Sequence, residues 1–322
     1  MRLIRLSIVA LLAVAGFGPA VRAEEAYPSR SIRIIVPFPA GATTDFLGRL
    51  LGEYLRTKTG QQVVVENVPG AAGALGMAAT IRAAPDGYTI LVTGSSLASA
   101  SLLSKISFDP LTELVPVGII GRIPTVYAIH KDIPAKTLKE FTELVRKEPS
   151  KFNFVTPGKG TPPHVAALEL SGFYGLDIQH IPYRGAAPAI TDLIAGRGHV
   201  IGIDPGPLLQ HIRAGTLRAL AVAADKRIAA LPDVPTADEA GFAKYQHYAW
   251  WGAFVPRGTP PAVIDKLNVL MQSAVDDPAV KQKLLAYHVE PLKLSPTQMA
   301  KLVNDEYAKM SGIVAKYRIK LD

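Results

Sequence analysis

The sequence predicts an α/β protein of two lobes, each a mostly parallel sheet flanked by helices. Three observations carry that prediction. Strand and helix patterns alternate along the chain, the alternation starts afresh past residue 122, and the chain exceeds what one small core accommodates. With 48% apolar residues and no cysteine, the fold has to be held by packing alone.

Residues 1–23 read as a secretory signal peptide. Arg2 and Arg5 make a basic start, and LSIVALLAVAGF (6–17) is an apolar core too short to span a bilayer comfortably. Val21 and Ala23 then place small residues three and one before a cut after Ala23, so the mature chain starts at Glu24 and is periplasmic. An uncleaved membrane anchor is the competing reading. Removal of the leader leaves 322 − 23 = 299 residues. It also takes Arg2, Arg5 and Arg22 from the net charge of +8, leaving 8 − 3 = +5. The remaining basic residues are scattered rather than clustered, which excludes a nucleic-acid footprint and still favours small anions.

Each element follows from its own pattern. Residues 32–38 form an apolar strand, and Phe46, Leu47, Leu50, Leu51, Tyr54 and Leu55 fall on one face of the next helix. VVVE (63–66) is a second strand, followed by an alanine-rich helix, and YTILVT (88–93) is a third. The second set opens with TVYAIH (125–130) and the helix TLKEFTELVRKEP. It continues with FNFV (152–155), PPHVAALELSGFYG, IQHIPY, PAITDLIAG, HVIGI, PLLQHIRAG and LRALAVAA. After PDVPTADEAG the chain reads YQHYAWWGAFVP and then three helices. These have no strands of their own, so they are expected to fold back on the first lobe. The chain then crosses between lobes twice, near 122–125 and 243–250. Lobe one comprises 24–124 with 247–322, and lobe two 125–246.

In an open parallel sheet, ligands bind beyond the carboxyl ends of the strands. Three such ends carry small polar residues: PAGATTD (39–45), TGSS (93–96) and TPGKGTPPH (156–164). Each leads into a helix whose first N–H groups lack internal partners and whose dipole favours an anion. Gly41, Gly94 and Gly160 would let the backbone come close to a ligand. The alternative is that Thr43, Thr44, Asp45, Ser95, Ser96 and Thr161 are ordinary helix caps. Three similar loops spread over both lobes point instead to one neutral, donor-rich cleft between them.

Other motifs lead elsewhere. NVPGAAGALGM lacks the G-x-G-x-x-G spacing, PGKGT lacks that of a phosphate loop, and neither G-x-S-x-G nor H-E-x-x-H occurs. No metal-ligand spacing and no cofactor loop is found. His164 opens a helix in a candidate loop, without a nearby acidic residue to orient it as a base. Of Trp250 and Trp251, strand alternation sends one to the core and leaves the other to wall a pocket.

With these loops identified, the chain resembles the Bug receptors, the periplasmic solute receptors of tripartite tricarboxylate transporters. The matching stretches are YPSRSIRIIVPFPAGATTD, APDGYTILVTG, FDPLTELVPV, IPYRGAAPAITDLIAG, IRAGTLRALAV, LPDVPTADEAGF and IVAKYRIKLD, in that order across the mature chain. The resemblance implies a two-lobed periplasmic binding protein of Venus-flytrap, type II-like fold. A small carboxylate is closed between the lobes and delivered by a monomeric receptor to membrane permease subunits. It also implies a site made of Phe38, Pro39, Ala40, Gly41, Ala42, Thr43, Thr44, Asp45, Ser95 and Ser96 from lobe one. Lobe two would supply Thr156, Gly160, Thr161, His164, Arg184, Gly185, Ala186, Ala187 and Asp204. Two departures stand out. Ala42 replaces a second glycine of the family's first loop, and Asp204 to Pro207 fits the family's aspartate-x-x-proline only with a one-residue shift. Arg184 either grips a second carboxylate of the ligand or serves a surface ion pair. Two other readings remain open: an exported α/β enzyme acting on a small acid with His164 as base, and a sensory receptor for a membrane kinase.

The leader generates the first prediction. N-terminal sequencing of exported protein should begin at Glu24, and an uncleaved, membrane-bound product would overturn the assignment.

Overall fold

The computed structural model describes residues 27–103, 106–159, 161–242 and 245–317. The leader and its cut after Ala23 lie outside the described residues, as does Gly160. The chain enters through β1 (Ile32–Val36), α1 (Thr43–Thr59), β2 (Val63–Asn67), α2 (Ala74–Ile81) and β3 (Thr89–Gly94). It continues with α3 (Ser96–Leu103), α4 (Pro110–Glu113) and β4 (Leu114–Pro124). β1 is apolar and almost wholly buried, as a strand covered by helices on both faces must be. α1 turns Leu47, Leu50, Leu51 and Leu55 inward and stops at Gly60, whose φ of 71° supplies the left-handed cap.

The alternation pattern did not reveal β4. LVPVGIIGRIP holds two prolines and two glycines, residue types depleted in strands, yet it runs unbroken for 11 residues. It sits next to the sheet edge, because its outer neighbour reaches only Gly121 and Arg122. Pro116 therefore costs no ladder bond on that side.

The second lobe is β5 (Val126–His130), α5 (Leu138–Lys147), β6 (Asn153–Thr156), α6 (Pro162–Tyr174), β7 (Gln179–Pro182), α7 (Ala186–Ile194), β8 (Val200–Ile203), α8 (Leu209–Arg213) and β9 (Leu217–Val222). The chain returns along β10 (Tyr248–Pro256) to α9 (Pro261–Asp276), α10 (Pro278–Ala286), β11 (Glu290–Pro291) and α11 (Pro296–Tyr317). The strand orders are β11-β4-β10-β3-β1-β2 and β7-β6-β8-β5-β9. Pairing is parallel within β2-β1-β3 and β7-β6-β8. It is antiparallel where β10 joins β3 and β4, where β11 joins β4, and where β5 joins β8 and β9. Both sheets are thus mixed, and most of the antiparallel pairs come from the strands that leave or re-enter a lobe. Each sheet has its own apolar layers: Ile34, Leu51 and Ile90 belong to the first lobe, and Tyr127, Phe141 and Phe154 to the second. α9 and α11 cover β4 of the six-stranded sheet.

The two crossings are tied to each other. Thr125, the one residue between β4 and β5, donates its N–H to the His247 carbonyl at 3.0 Å. Its own carbonyl accepts from Ala223 at 2.8 Å, and His247 donates to the Ala223 carbonyl at 3.0 Å. Beside them Arg122 lies 3.9 Å over the Tyr248 ring and binds Glu290 at 3.0 Å and Asp225 at 3.5 Å.

Gly94 tests how closely β3 and β10 approach. A methyl group there would stand 2.1 Å from the Trp250 carbonyl, which is backbone and cannot swing aside. Gly94→Ala should destabilise the protein by about 3 kcal/mol, read as a lower urea midpoint with unchanged slope.

Candidate functional site

Four helices begin at one cavity of about 270 Å³ between the lobes. Ala42, Thr43 and Thr44 bring the start of α1, and Ser95 and Ser96 the start of α3. Pro162 and Pro163 bring the start of α6, and Ala186 that of α7. The hinge strands supply Ile123, Thr125, Ala249 and Trp251 as the back wall. Along β10 the side chains alternate, so Trp251 faces the cavity while Trp250 is buried among Leu91, Phe254 and Met299.

The cavity offers donors of two kinds, the hydroxyls of Thr43, Thr44, Ser95, Ser96 and Thr125 and the backbone at the helix starts. In α1 the first intrahelical bond runs from Phe46 to the Ala42 carbonyl, leaving the N–H groups of Thr43, Thr44 and Asp45 outside the helix's own ladder. In α3 Ser95 donates to the Trp250 carbonyl and Ser99 to the Ser95 carbonyl. α6 contributes less, because its first two positions are prolines, which carry no N–H. The two lobes therefore present unequal sets of backbone N–H groups at their helix starts.

The side chains proposed as caps do something else. The N-cap of α1 is Ala42, and no side chain caps that helix. Thr44 accepts a hydrogen bond from Trp251 Nε1 at 3.0 Å, fixing the indole against the loop. Asp45 shapes the loop from behind. It accepts from Gly41 N at 2.9 Å, from Asn67 Nδ2 at 2.9 Å and from Arg49 Nε at 3.1 Å. Burial pushes its carboxyl up, but the Arg49, Gly41 and Asn67 hydrogen bonds outweigh this and hold it below the usual range. Thr161 donates to Gly158 O at 2.8 Å instead of capping α6.

Of the residues that the sequence put in the site, Phe38, Ala42, Thr43, Thr44, Ser95, Ser96, Ala186 and Asp204 line the cavity. Pro39, Ala40, Gly41, Asp45, Thr156, Thr161, His164, Arg184, Gly185 and Ala187 do not line it. Gly160 falls outside the described residues. Thr156 is buried, and its hydroxyl meets His180 Nε2 at 2.6 Å. His164 is stacked on His180 with ring centroids 4.1 Å apart, behind the wall. Burial, then His180 and Lys159, lowers the His164 pKa to about 4, so the ring is neutral at pH 7. Arg184 is exposed and points no charge into the cavity. Gly94 lines the cavity, and its lack of a side chain also permits the approach of β10. Asp204 does line the cavity despite the shift in register, and burial raises its carboxyl. It is the one ionisable side chain among the described lining residues.

Sequence reasoning placed Pro157 in a candidate loop and missed Ile123, Thr125, Ala249 and Ile203 as lining residues. These are apolar or small residues at strand ends whose role depends on which strands cross between lobes. The tandem Pro162-Pro163 was the readable signal, since it marks a helix start.

The comparisons return a family of solute receptors. The family model for the tripartite tricarboxylate transporter family receptor matches residues 47–319. The chain belongs to that family. It is 34% identical over 316 residues to protein BugT of Bordetella pertussis, covering 96% of each chain. Among solved structures, the periplasmic binding protein BugD is 32% identical with a TM-score of 0.76, covering 91% of this chain and 99% of that one. MatC from Rhodopseudomonas palustris, solved with bound malate, is 30% identical with a TM-score of 0.75, covering 89% and 100%. Among the described residues of this receptor no group of histidines and carboxylates could hold a metal ion, and no helix is long and apolar enough to cross a membrane.

The loop geometry yields a prediction about Asp45. Asp45→Ala leaves Gly41 N–H and the Asn67 amide without their partner and should cost about 2 kcal/mol, while Asp45→Asn should cost less. Because the folded carboxyl is held low, its contribution is fully present above pH 3.8 and is lost as pH falls below that value. Urea unfolding at pH 7 and pH 3 should show the gap between parent and Asp45→Asn narrowing in acid.

Proposed function

We propose that this chain is an exported solute receptor that closes on a small carboxylate and delivers it to permease subunits of a tripartite tricarboxylate-type transporter. It acts as a monomer, without catalysis or cofactor. One observation carries the reading. Helix starts from both lobes converge on a single cavity lined by small residues and neutral hydroxyls, where helix dipoles favour an anion without a counter-charge. The malate in MatC is a ligand of the same chemical class. His164, neutral and behind the wall, gives no support to acid–base chemistry.

The ligand contacts we propose are Ala42, Thr43, Thr44, Ser95, Ser96 and Ala186, with Phe38 and Trp251 as apolar walls. The remaining loop residues, including Gly41 and Gly185, act by shaping the backbone. Residues 125–246 move as the second lobe, hinged at Thr125 and His247. Asp204 adds a constraint on the far end of the ligand. Burial raises its carboxyl, and its oxygen can accept from a hydroxyl or ammonium group of the ligand, so acids carrying such a donor are favoured.

The test is calorimetric titration with malate, succinate, adipate, L-glutamate and benzoate, each also incubated with the protein and assayed for turnover. Binding without turnover supports the reading, and chemical conversion refutes it. Ala42→Leu should abolish binding by filling the start of α1, and Thr44→Ala should weaken it by about 1 kcal/mol. An Ala42→Leu variant that binds as the parent does would place the anion elsewhere.

A further inference from the structure

The hinge strands have two faces, and only one of them serves the cavity. Opposite Trp251 and Ile123, the side chains of Trp250, Tyr248 and Arg122 line a second groove of about 530 Å³, walled by α11. α11 belongs to the first lobe, with Met299 and Val303 buried in its core. Yet its later turns reach the other lobe, where Lys309, Ile313 and Lys316 lie beside Leu168, Glu169 and Phe173. Lys309 Nζ lies 2.8 Å from Glu169 Oε1, and Glu169 sits on α6.

Glu169 is a junction. Its other oxygen meets His247 Nδ1 at 2.8 Å and the Tyr245 hydroxyl at 3.2 Å. Tyr245 in turn meets the hydroxyl of the fully buried Tyr127 at 2.7 Å. Its side chain is 6% exposed, so it is anchored in the second lobe and at the crossing, while Lys309, 51% exposed, is the arm from the first. Burial pushes the Glu169 carboxyl up, but His247 and Lys309 outweigh it and hold the group down at about 2. The carboxylate is thus charged throughout the working range, and the lysine has a fixed target.

We propose that Lys309 on Glu169 is an interlobe clasp, a positioning contact that fixes the relative orientation of the two lobes and so the spacing of the four helix starts in the cavity. The proposal rests on the fold and the hinge, so it stands or falls separately from the carboxylate reading. Glu306, one turn earlier on α11, gives the clasp a control. Its carboxyl accepts from Trp250 Nε1 and faces Glu169 and Lys309. Arg122, His247, Lys301 and Asp305 are the other charged or titratable groups around the groove, with Tyr248 at its edge. Burial, reinforced by Glu169 and opposed by Lys309, raises Glu306 to about 8. Below that pH Glu306 carries a proton and Lys309 pairs with Glu169 alone. Above it, a second carboxylate repels Glu169 and competes for the lysine, and the clasp loosens.

The chain has no cysteine, so Arg56→Cys on α1 and Lys139→Cys on α5, both exposed, can carry a pair of spin labels. Dipolar spectroscopy then reads the interlobe distance in the unliganded protein. At pH 6.5 the parent should give one narrow distribution. Lys309→Met should broaden or displace it, and Lys309→Arg should restore it, a rescue that a loss of mere bulk would not show. Raising the parent to pH 9 should move it toward the Lys309→Met profile, and Glu306→Gln should remove that pH response. A folded Lys309→Met variant whose distribution overlays the parent's overturns the clasp. A pH response that survives in Glu306→Gln overturns the control by Glu306.

Discussion

Thr125 gives its N–H to His247 and its carbonyl to Ala223, and the two lobes hang on that exchange. Each backbone group at the crossings must find a partner, because the site is enclosed by protein on both sides. By pairing the outgoing segment with the returning one, the chain satisfies them within a short stretch along a narrow axis. The antiparallel pairs of β10 with β4 and of β5 with β9 lead directly into this exchange. Arg122, packed on Tyr248 and paired with Glu290 and Asp225, flanks the same axis.

That axis dictates where chemistry can be placed. Strand alternation through β4 and β10 gives the hinge one face toward the cavity and another toward the α11 groove. Ile123, Thr125, Ala249 and Trp251 stand on the first, and Arg122, Tyr248 and Trp250 on the second. The cavity face is neutral apart from Asp204, and the other is densely charged. A neutral face lets helix dipoles act on an anion without a competing counter-ion. The charged face, half screened by solvent, is where ion pairs can hold the lobes without reaching the ligand.

The sequence by itself determined the α/β class, the two sets of alternating elements and the loops at the strand ends. These are local properties: hydrophobic period, glycine and proline placement, and the small polar residues of PAGATTD and TGSS. It also marked Trp250 and Trp251 as a split pair, since adjacent strand residues must face opposite ways. The family resemblance extended the list of loop residues, but it did not separate those that touch the cavity from those that brace it. Asp45, Thr161 and His164 were read as site residues because they share the loops. Their side chains turn away, to Gly41 and Asn67, to Gly158 and to His180.

Tertiary structure alone decided the rest, for physical reasons. β4 carries too many prolines and glycines for its period to show, and it is a strand because β10 pairs with it along its whole length. Gly94 is needed for contact with a carbonyl more than 150 residues away, which no local pattern encodes. Asp204 enters the cavity while Arg184 stays outside, a choice made by the packing of β8 and α7 and not by charge. Glu169, His247, Glu306 and Lys309 are far apart in the chain and unremarkable singly. Only the return of α11 across the hinge brings them together, because long-range contacts depend on which elements pack, and periodicity is silent on that.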